Sequence, residues 1–373
     1  MFKIVHIARP IAGVGVYVDL LINHIDDTRF KNFLISNHRD KNFEVITGSL
    51  KNTSQFHVNL KREINIIKDI KCLLDIIKLI REINPDIIHC HSAKAGFLGR
   101  IAGAYLKIPT VYTPHAFSYL SGENKLKRNL FKNLEKIFRV FPSKIIACSK
   151  SEYNRAIYDL QFNEDKLFIW NNSIEDITEF SPSKVIENLP EKFICSIGRP
   201  SYQKNIEMLL ETMSQIKKST EDIHLVLLGI GSPSHRLDKL KKFIKKNDLS
   251  SNITLIPWLE RAEVMSILKA CYVYVSSSRY EGLPYSIIEA LSLEKPCVVT
   301  NVDGNKDLIV NKYNGYTVEV EDTQHMAEKI ILMYNESNIV MEMSKNSRKE
   351  YLNKYNIENN IHRLEKFYTS EIG

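Results

Sequence analysis

Residues 272–290 read YVYVSSSRYEGLPYSIIEA, and this stretch combines a strand, a turn and the start of a helix. The apolar run Tyr272–Ser276 predicts a buried strand. Gly282 permits a close approach of the backbone, and Pro284 suits the first position of a helix. Because the N–H groups at the start of a helix bind anions, the stretch predicts an anion site directly after a strand. That arrangement is typical of a parallel α/β sheet.

Strand and helix patterns alternate in the same way along the rest of the chain. This alternation predicts the α/β class, with parallel sheets that carry helices on both faces. The predicted strands are Lys3–Ile7, Asp86–His89, Pro109–Thr113, Lys144–Ala147, Phe193–Ile197, His224–Leu228, Ile253–Ile256, Tyr272–Ser276 and Cys297–Thr300. The predicted helices include Val16–Ile25, Ala93–Leu106 and a long amphipathic helix over Glu63–Ile83 whose apolar stripe is Ile67, Ile70, Leu74, Ile77 and Ile80.

The length of 373 residues predicts about two domains. The pattern restarts after the polar stretch Glu175–Pro190, so we expect two Rossmann-like domains that face a cleft. The predicted parts are an N-terminal domain over 1–175, a linker over 176–190, a C-terminal domain over 191–345, and a last segment over 346–373 whose helix packs back on the N-terminal domain.

The composition excludes several classes of protein. The chain has 51 Lys and Arg against 44 Asp and Glu, and this net charge of +7 is too diffuse for a dedicated nucleic-acid binder. Its 6 cysteines include no C-x-x-C pair, which favours buried, reduced thiols over disulfides. No apolar run is long enough to span a membrane, and the N-terminus does not resemble a signal peptide. We therefore expect a cytoplasmic protein whose contact with a membrane, if it has one, is peripheral.

A second motif follows an earlier predicted strand. The sequence GRPSYQKN at 198–205 places Arg199 and Lys204 at the mouth of that strand, where two cations could bind a phosphate. Two solvated surface cations are the alternative. Glu281 precedes the helix of the opening stretch, and Glu289 lies about one turn into it. Both could therefore face one bound ligand from different positions along the helix axis.

In their order and spacing, these motifs resemble the retaining nucleotide-sugar glycosyltransferases with the GT-B fold, the glycosyl transferases group 1 of bacterial surface-polysaccharide synthesis. The E-x7-E motif of that family is matched by Glu281 and Glu289, and its G-R-x4-K-N motif is matched by residues 198–205. Segments around His91 and His115 resemble the I-H-x-H-S-x-K-A-G and T-x-H-G segments of bacterial members. The resemblance covers essentially the whole chain.

The resemblance implies that the C-terminal half binds the nucleotide-sugar donor. Arg199 and Lys204 would bind the donor diphosphate and stabilise the leaving group, and Glu281 would contact the donor sugar as a catalytic residue. Glu289 would accept hydrogen bonds from the ribose. The other implied donor contacts are Gly229, Gly282 and Leu283, with Trp258 and Leu259 beside the base, although Trp258 could equally be a packed core aromatic.

The resemblance also implies that the N-terminal half binds the acceptor. His115 would be a catalytic residue that donates a hydrogen bond to a sugar hydroxyl or positions the acceptor. A buried, hydrogen-bonded histidine is the alternative for His115 and, more strongly, for His89. The other implied contacts are His91, Ser92 and Lys94 for an acceptor diphosphate, and Gly13 and Gly15 for the donor phosphates.

Residues 124–141 predict a basic amphipathic helix, in which Glu135 is the one acid between positions 125 and 139. A helix of this kind can lie on an anionic membrane, so we expect Lys125–Arg139 to contact one. A core-facing helix with a solvated basic face is the alternative, and it is the interpretation we favour for the similar run Lys239–Lys246. The apolar set of the helix is Leu126, Leu130, Leu134, Ile137 and Phe141, and the basic set is Lys125, Lys127, Arg128, Lys132, Lys136 and Arg139.

These observations predict a retaining glycosyltransferase that moves a sugar from a nucleotide diphosphate, with UDP the expected carrier, to a lipid-linked saccharide acceptor. The sequence contains no Asp-x-Asp pair and no cysteine–histidine cluster with zinc spacing, so we expect neither a metal nor a cofactor. Two alternatives remain open. One is a nucleotide-sugar epimerase of related fold, and the other is a non-catalytic membrane scaffold.

Overall fold

The computed structural model of the protein describes residues 1–37, 53–61, 63–122, 124–177, 188–231 and 235–373. The chain divides into two compact units. Unit 1 contains residues 1–175 and 355–373, and unit 2 contains residues 176–354. All 6 cysteines are buried and free, as the sequence predicts. None of the described helices is both long and apolar enough to cross a membrane.

The strands and helices of the described residues alternate along the chain. The strands are β1 Phe2–Ile7, β2 Phe30–Asn37, β3 Thr53–Val58, β4 Ile87–His91, β5 Thr110–Thr113, β6 Ser143–Ala147, β7 Leu167–Ile169, β8 Ile194–Ile197, β9 Leu225–Leu228, β10 Ile253–Ile256, β11 Val273–Ser276, β12 Cys297–Thr300 and β13 Gly315–Val318. The helices are α1 Gly13–His24, α2 Ile66–Ile83, α3 Ser92–Leu106, α4 Lys125–Phe138, α5 Lys150–Tyr158, α6 Ile206–Lys217, α7 His235–Lys246, α8 Arg261–Ala270, α9 Tyr285–Ser292, α10 Asn305–Leu308, α11 Thr323–Asn335, α12 Ser337–Lys354 and α13 Ile357–Ile372.

In unit 1 the strands form one parallel sheet with the order β3-β2-β1-β4-β5-β6-β7. Strands β1 and β4 pair in a register that places His6 directly beside His89. The C-terminal helix α13 also belongs to this unit, because it packs on α1 and the backbone of Ile174 bridges to that of Asn356. Two buried strands at the middle of the sheet therefore end next to each other with histidines on the same face.

In unit 2 the strands form a second parallel sheet with the order β10-β9-β8-β11-β12-β13. Aliphatic side chains of α6, α7 and α11 pack on it, among them Leu209, Leu240 and Ile330. The chain runs outward from β8 to β10 and then returns to β11 on the other side of β8. The loops after β8 and β11 therefore leave the sheet at the point where the strand order reverses, which is where ligands bind in such sheets.

The two parallel sheets with their helices confirm the predicted α/β class. The end of the C-terminal half differs from the prediction, because residues up to Lys354 belong to unit 2 and the chain returns to unit 1 at Tyr355, not at 346. The segment from Ser337 to Lys354 contains neither Gly nor Pro, so nothing interrupts α12 at the predicted boundary. Residues 178–187 of the predicted linker lie outside the described residues.

Of the predicted apolar stripe of the long helix α2, only Ile80 is fully buried. Three residues of that stripe are between 54% and 81% exposed. Apolar residues occur all around this helix, so their periodicity does not select one face. The buried residues are Cys72, Ile76, Ile80 and Ile83, and the exposed ones are Ile67, Ile70 and Leu74.

Helix α4 is attached to the rest of unit 1 by a buried ion pair. Glu135 accepts a hydrogen bond of 3.2 Å from Nη2 of Arg100 on α3 and one of 3.1 Å from the hydroxyl of Tyr112 on β5. Both charged side chains are shielded from solvent. Since Glu135 is the one acid between positions 125 and 139, the outer face of that segment carries basic side chains without an acid among them.

The substitution Glu135→Leu should destabilise unit 1 by about 3–5 kcal/mol, because it leaves the Arg100 charge buried without a partner. Trp170 is buried in unit 1, and Trp258 is the other tryptophan of the chain. In a Trp258→Phe background, the fluorescence of Trp170 during urea titration therefore reports on the unfolding of unit 1. The double variant Arg100→Met, Glu135→Leu removes both charges and should regain most of the lost stability. A double variant as unstable as the single one would contradict the argument from charge.

Candidate functional site

The first functional loop of unit 2 begins where β8 ends. Gly198 follows the strand, and a Cβ atom at this position would lie 3.1 Å from Cγ of Lys204. Glycine therefore leaves room for the lysine side chain to fold back over the loop. The loop ends at the buried residue Asn205, whose left-handed backbone (φ 49°) leads into α6. These two features direct the Lys204 side chain towards the loop that follows β11.

The carboxylate of Glu281 is the centre of a polar cluster between these two loops. Its Oε1 atom accepts hydrogen bonds from Nζ of Lys204 (2.7 Å) and Oγ of Ser278 (2.8 Å), and its Oε2 atom accepts one from Nε2 of Gln203 (3.0 Å). Glu281 is only 6% exposed, so these donors compensate for the water that its charge has lost. The structure thus brings together Lys204 and Glu281, which the sequence predicts for one site.

Further hydrogen bonds hold the two loops against each other. The hydroxyl of Ser277 donates to the carbonyl oxygens of Lys204 (3.0 Å) and Asn205 (2.8 Å). The backbone N–H of Arg279 donates to the carbonyl oxygen of Gln203 at 2.8 Å. Most of these contacts involve the backbone, so they fix the shape of the loops independently of the Lys204–Glu281 ion pair.

The second predicted acid, Glu289, has a partner that the sequence analysis did not identify. Its Oε1 atom accepts a hydrogen bond of 2.7 Å from Nη1 of Arg261, the first residue of α8. Burial raises the pKa of Glu289, and the positive charge of Arg261 opposes that shift. No motif contains Arg261, so only the packing of α8 beside α9 could indicate this pair. The distance from Glu281 to Glu289 along the chain is that of the predicted E-x7-E motif.

Two glycines of unit 2 allow loops to meet backbone to backbone. Gly304 has φ +77°, and a Cβ atom there would lie 2.7 Å from the carbonyl oxygen of Gly282. A Cβ atom on Gly231 would lie 2.8 Å from the backbone nitrogen of Trp258. Side chains at these positions would push apart the loops that carry Glu281 and Trp258. Gly231 lies two residues after the predicted donor contact Gly229, and its role is clear only from the structure.

The other predicted donor contacts differ in their exposure. Trp258 is 77% exposed, so the alternative of a packed core aromatic is wrong. Arg199 is also exposed, and it makes no ion pair with any of the described residues. Leu259 and Gly282 are half-buried, Leu283 is buried, and Gly229 has a left-handed backbone (φ +84°) beside Gly198. Pro284 directly precedes the first residue of α9, one position earlier than predicted.

Unit 1 contains a cluster of buried histidines near the carboxyl ends of β1 and β4. His6 and His89 are neighbours in register, and His91 is two residues further along β4 on the same face. Burial lowers the pKa of all three, and that of His6 falls to about 4. The three imidazole rings are therefore neutral at pH 7. Of these three residues the sequence analysis assigned only His91 to the site, and it did not predict the cluster.

Each histidine of the cluster has named hydrogen-bond partners. Nε2 of His6 lies 3.2 Å from Oδ1 of Asn32, and Nδ1 of His6 lies 3.2 Å from Nε2 of His91. Nδ1 of His91 lies 3.4 Å from Nε2 of His115. His89 bonds to the hydroxyls of Tyr368 (2.6 Å) and Thr113 (2.8 Å). His89 is thus a buried, hydrogen-bonded histidine, which was the favoured alternative.

His115 lies in a loop that a buried carboxylate holds in place. His115 and Ala116 both have left-handed backbones, with φ of 54° and 73°. Oε1 of Glu152 accepts a hydrogen bond of 2.8 Å from the backbone N–H of Ala116, and Oε2 accepts one of 2.8 Å from that of Cys148. Burial raises the pKa of Glu152, and these backbone hydrogen bonds oppose the shift. Glu152 carries no sequence signal, although it fixes the position of a predicted catalytic residue.

The predicted acceptor residues have different surroundings. His91 is fully buried, Ser92 is half-buried with φ 65°, and the ammonium of Lys94 forms an ion pair of 2.5 Å with Asp69 on α2. The tight turn before α1 lies at Ala12, which has φ 51° and ψ −131°. Helix α1 begins at Gly13, three residues earlier than predicted, so Gly13 and Gly15 lie in its first turn.

Three histidines of this cluster could in principle hold a metal ion. One nitrogen of each of His6, His89 and His91 lies within 4.8 Å of the others. However, both ring nitrogens of His6 and His89 already have hydrogen-bond partners, and a metal would have to displace at least one of them on each ring. The donor set therefore fits a hydrogen-bonded network better than a metal centre.

Two family models match the chain in succession. Residues 177–350 match the model described as glycosyl transferases group 1, and residues 11–176 match the model described as glycosyltransferase family 4. The first match contains the loops around Lys204 and Glu281, and the second contains the histidine cluster from His89 to His115. The two matches together cover nearly the whole of both units.

Curated proteins and solved structures agree with these matches. The chain is 28% identical over 323 residues to the UDP-Gal:alpha-D-GlcNAc-diphosphoundecaprenol alpha-1,3-galactosyltransferase of Escherichia coli, a match that covers 84% of this chain and 82% of that protein. It is 27% identical to the capsular polysaccharide biosynthesis glycosyltransferase CapM of Staphylococcus aureus, over 89% of this chain and 91% of that one. The fold resembles Anabaena HepE in complex with UDP and glucose, with a TM-score of 0.83, 16% identity, and coverage of 99% and 100% of the two chains.

The neutral histidines predict that unit 1 loses stability in mild acid. The folded-state pKa values of His6 (about 4) and His115 (about 3) lie below the ordinary value of 6.5, so the unfolded chain binds more protons between these values. The free energy of unfolding should therefore fall as the pH drops below 6.5, by about 1.4 kcal/mol per pH unit for each such histidine. Urea titrations at pH 7.5, 6.5 and 5.5, followed by Trp170 fluorescence in the Trp258→Phe background, measure this slope.

His325 provides a matched control, because it lies in unit 2 and its side chain is 41% exposed. The variant His325→Asn should not change how the free energy of unfolding of unit 1 depends on pH. The variant His6→Phe should reduce that dependence by the contribution of one histidine. A stability of unit 1 that stays constant from pH 7.5 to 5.5 would show that burial does not lower the pKa of these rings.

Proposed function

The chain belongs to the glycosyl transferases group 1, and on that premise we propose that it transfers a sugar from a UDP-sugar, with retention of anomeric configuration, to a lipid-linked saccharide in surface-polysaccharide synthesis. The observation that carries the proposal is the Lys204–Glu281 pair at the carboxyl edge of the unit 2 sheet, beside the N-terminus of α9. The pair joins a cation suited to a diphosphate to an acid suited to sugar hydroxyls.

The charges of unit 2 support a role in the departure of the diphosphate. As the bond between the sugar and the diphosphate breaks, negative charge grows on the phosphate and positive charge on the sugar. The Arg199 guanidinium, the Lys204 ammonium and the start of α9 would stabilise the phosphate without reorganising. Glu281, held by its hydrogen-bond donors, would face the positive side. We infer front-face attack with the leaving phosphate as the proton acceptor, because the proposed site offers no separate nucleophile.

The nucleotide would extend away from this pair towards α8. The exposed ring of Trp258 offers a face on which a base can stack. Glu289 would accept hydrogen bonds from the ribose, and its present donor, Arg261, would then move aside or remain as a third partner. UDP is the carrier that we favour, since the Escherichia coli relative is named for UDP-Gal and the HepE structure contains UDP.

The acceptor would be a saccharide on a polyprenyl diphosphate. The Escherichia coli relative is named for a diphosphoundecaprenol acceptor, and the Campylobacter jejuni relative N,N'-diacetylbacillosaminyl-diphospho-undecaprenol alpha-1,3-N-acetylgalactosaminyltransferase for another. In unit 1, Ser92 and Lys94 would contact such a diphosphate, with Lys94 released from Asp69. His115 would contact a sugar hydroxyl. Neither the departure of the donor diphosphate nor the binding of the acceptor diphosphate would require a metal, because basic side chains and a helix N-terminus already oppose the phosphate charge.

An acceptor of this kind requires contact with a membrane, and the outer surface of unit 1 suits one. On α4, apolar side chains are between 54% and 80% exposed, and the basic side chains of Lys125, Lys127 and Arg128 are exposed as well. Helix α2 presents a second exposed apolar stripe. Helix α3 lies between these two helices, since Lys94 pairs with Asp69 of α2 and Arg100 pairs with Glu135 of α4. The exposed residues are Leu126, Leu130 and Ile137 on α4, and Ile67, Ile70 and Leu74 on α2.

Helix α7 of unit 2 shows what an ordinary basic helix looks like in this chain. Lys239, Lys241 and Lys242 are exposed, but Leu237, Leu240 and Ile244 are all buried. A bilayer binds a helix through apolar insertion as well as charge. We therefore propose that α4 and α2 contact an anionic membrane at its cytoplasmic face, and that α7 does not.

The substitutions Lys204→Met and Glu281→Gln should each lower kcat for sugar transfer by about 100-fold to 1,000-fold, because each removes a charge that the transition state requires. Both changes keep the shape of the side chain, so the fold should persist. The assay is transfer from a UDP-sugar to a polyprenyl-diphosphate saccharide, with the anomeric configuration of the product read by NMR.

Lys217→Met is the matched control, because Lys217 also forms an ion pair in unit 2 but with the exposed residue Asp248. Transfer by this variant should equal that of the wild type. Rates near wild type for Lys204→Met or Glu281→Gln would refute the assigned site, and epimer formation without acceptor would favour the epimerase alternative.

The triple variant Lys125→Gln, Lys127→Gln, Arg128→Gln should bind vesicles of phosphatidylglycerol and phosphatidylcholine about 100-fold more weakly, because each basic residue near an anionic surface contributes about 1 kcal/mol. Lys239→Gln, Lys241→Gln, Lys242→Gln removes the same charge from α7 and should have little effect. Co-sedimentation with the vesicles measures both. Equal losses in the two variants would mean that net charge, and not α4, determines binding.

A further inference from the structure

Asn32, His6, His91 and His115 form one chain of hydrogen bonds that crosses unit 1. The chain starts at Oδ1 of Asn32 on β2 and passes through both ring nitrogens of His6 and of His91. It ends at Nε2 of His115, 3.4 Å from Nδ1 of His91. Asn32, His6 and His91 come from three neighbouring strands, and His115 from the loop after the next one.

The direction of every hydrogen bond in this chain follows from its first member. Oδ1 of Asn32 can only accept, so Nε2 of His6 carries the proton. A neutral imidazole has one N–H, so Nδ1 of His6 accepts and Nε2 of His91 donates to it. By the same step, Nδ1 of His91 accepts and Nε2 of His115 donates. The second nitrogen of His115, Nδ1, is then left with a lone pair.

Burial keeps the three rings in the neutral form that this reasoning requires. It lowers the pKa of His6 to about 4 and that of His115 to about 3, and it lowers that of His91 as well. The hydrogen bond to Asn32 opposes the shift of His6, as expected if Asn32 accepts. The other groups that face the chain do not interrupt it. The nitrogens of His89 bond to Tyr368 and Thr113, and Tyr17 presents a ring edge-on to His115 at 4.5 Å.

We propose that Asn32 is a positioning residue that, through His6 and His91, fixes His115 in the tautomer whose Nδ1 accepts a hydrogen bond. His115 therefore recognises a ligand group that donates, and under the proposed function, on which this part rests, that group is a sugar hydroxyl. The resemblance implied a His115 that either donates a hydrogen bond to a sugar hydroxyl or positions the acceptor. If the amide of Asn32 were turned round, every hydrogen bond of the chain would reverse and His115 would present an N–H group.

The tautomers can be read directly by long-range proton–nitrogen NMR of the full chain labelled with 15N-histidine, at pH 7.5. In the wild type, His6, His91 and His115 should each be locked as the Nε2–H form. His115→Gln and His91→Gln variants assign the signals. A His115 found as the Nδ1–H form, or as a mixture of both, would overturn the proposal.

Two substitutions at Asn32 separate positioning from packing. Asn32→Leu removes the acceptor, and a buried N–H without a partner is costly, so the chain should reverse and His115 should become the Nδ1–H form. Asn32→Asp keeps an acceptor of the same shape and should preserve the wild-type tautomers. Should Asn32→Leu not fold, His6→Phe removes the same link from within the chain and should also reverse His91 and His115. Unchanged tautomers in a folded Asn32→Leu or His6→Phe variant would refute the relay.

A kinetic measurement connects the tautomer to recognition. In a series of acceptor saccharides with one hydroxyl replaced by fluorine, which accepts but cannot donate, the wild type should lose about tenfold in kcat/KM at the position that faces His115. Asn32→Leu should lose much less at that position and should be unchanged at the others. A tautomer switch without any change in fluorine discrimination would contradict the proposed contact of His115. Failure of the wild type to transfer any sugar would instead refute the proposed function and leave the NMR result standing.

Discussion

The ion pair between Lys204 and Glu281 joins the loops after β8 and β11 at the proposed anion-binding edge of unit 2. Glu281 is almost completely buried, and a buried carboxylate is stable only when hydrogen bonds replace its water. Lys204, Gln203 and Ser278 supply them from the loops after β8 and β11. The same contacts immobilise the Lys204 ammonium before any ligand arrives, so a diphosphate that binds there orders little that is not already ordered. One set of contacts thus serves both the fold and the proposed leaving-group site.

Unit 1 differs from unit 2, because the buried histidines at the edge of its sheet are neutral. The register of β1 against β4 forces His6 and His89 together in a space that excludes water, where a charged imidazole would lack solvation. Hydrogen bonds to Asn32, Thr113 and Tyr368 make that neutrality stable. Glu152, which is also buried, accepts hydrogen bonds from the backbone N–H groups of Ala116 and Cys148. The proposed donor site of unit 2 therefore depends on an ion pair between charged side chains. The histidine cluster of unit 1 depends instead on which ring nitrogens donate hydrogen bonds and which accept them.

The sequence predicted those features that depend on neighbours in the chain. The alternation of strands and helices gave the parallel sheets, and motif spacing brought Lys204 to Glu281, because both loops leave adjacent strands. Features that depend on packing between distant segments were not predictable. Arg261 belongs to no motif, yet it is the partner of Glu289, and Glu152 lies 36 residues beyond the loop nitrogen that it binds. The apolar pattern of α2 did not determine which of its residues are buried, because apolar residues surround the helix and the pattern fits two orientations.

The two basic helices show why charge alone does not identify a membrane surface. Helices α4 and α7 have similar runs of lysine, and their sequences support the same two interpretations. The difference arises in the folded chain. The leucines of α7 are buried in the core of unit 2. In α4 the ion pair between Glu135 and Arg100 sets the orientation of the helix, so that Leu126 and Leu130 lie on its exposed face. A buried ion pair that contributes little net stability can therefore decide which face of a helix is exposed. On this argument the Arg100–Glu135 pair is the structural cause of the proposed membrane contact.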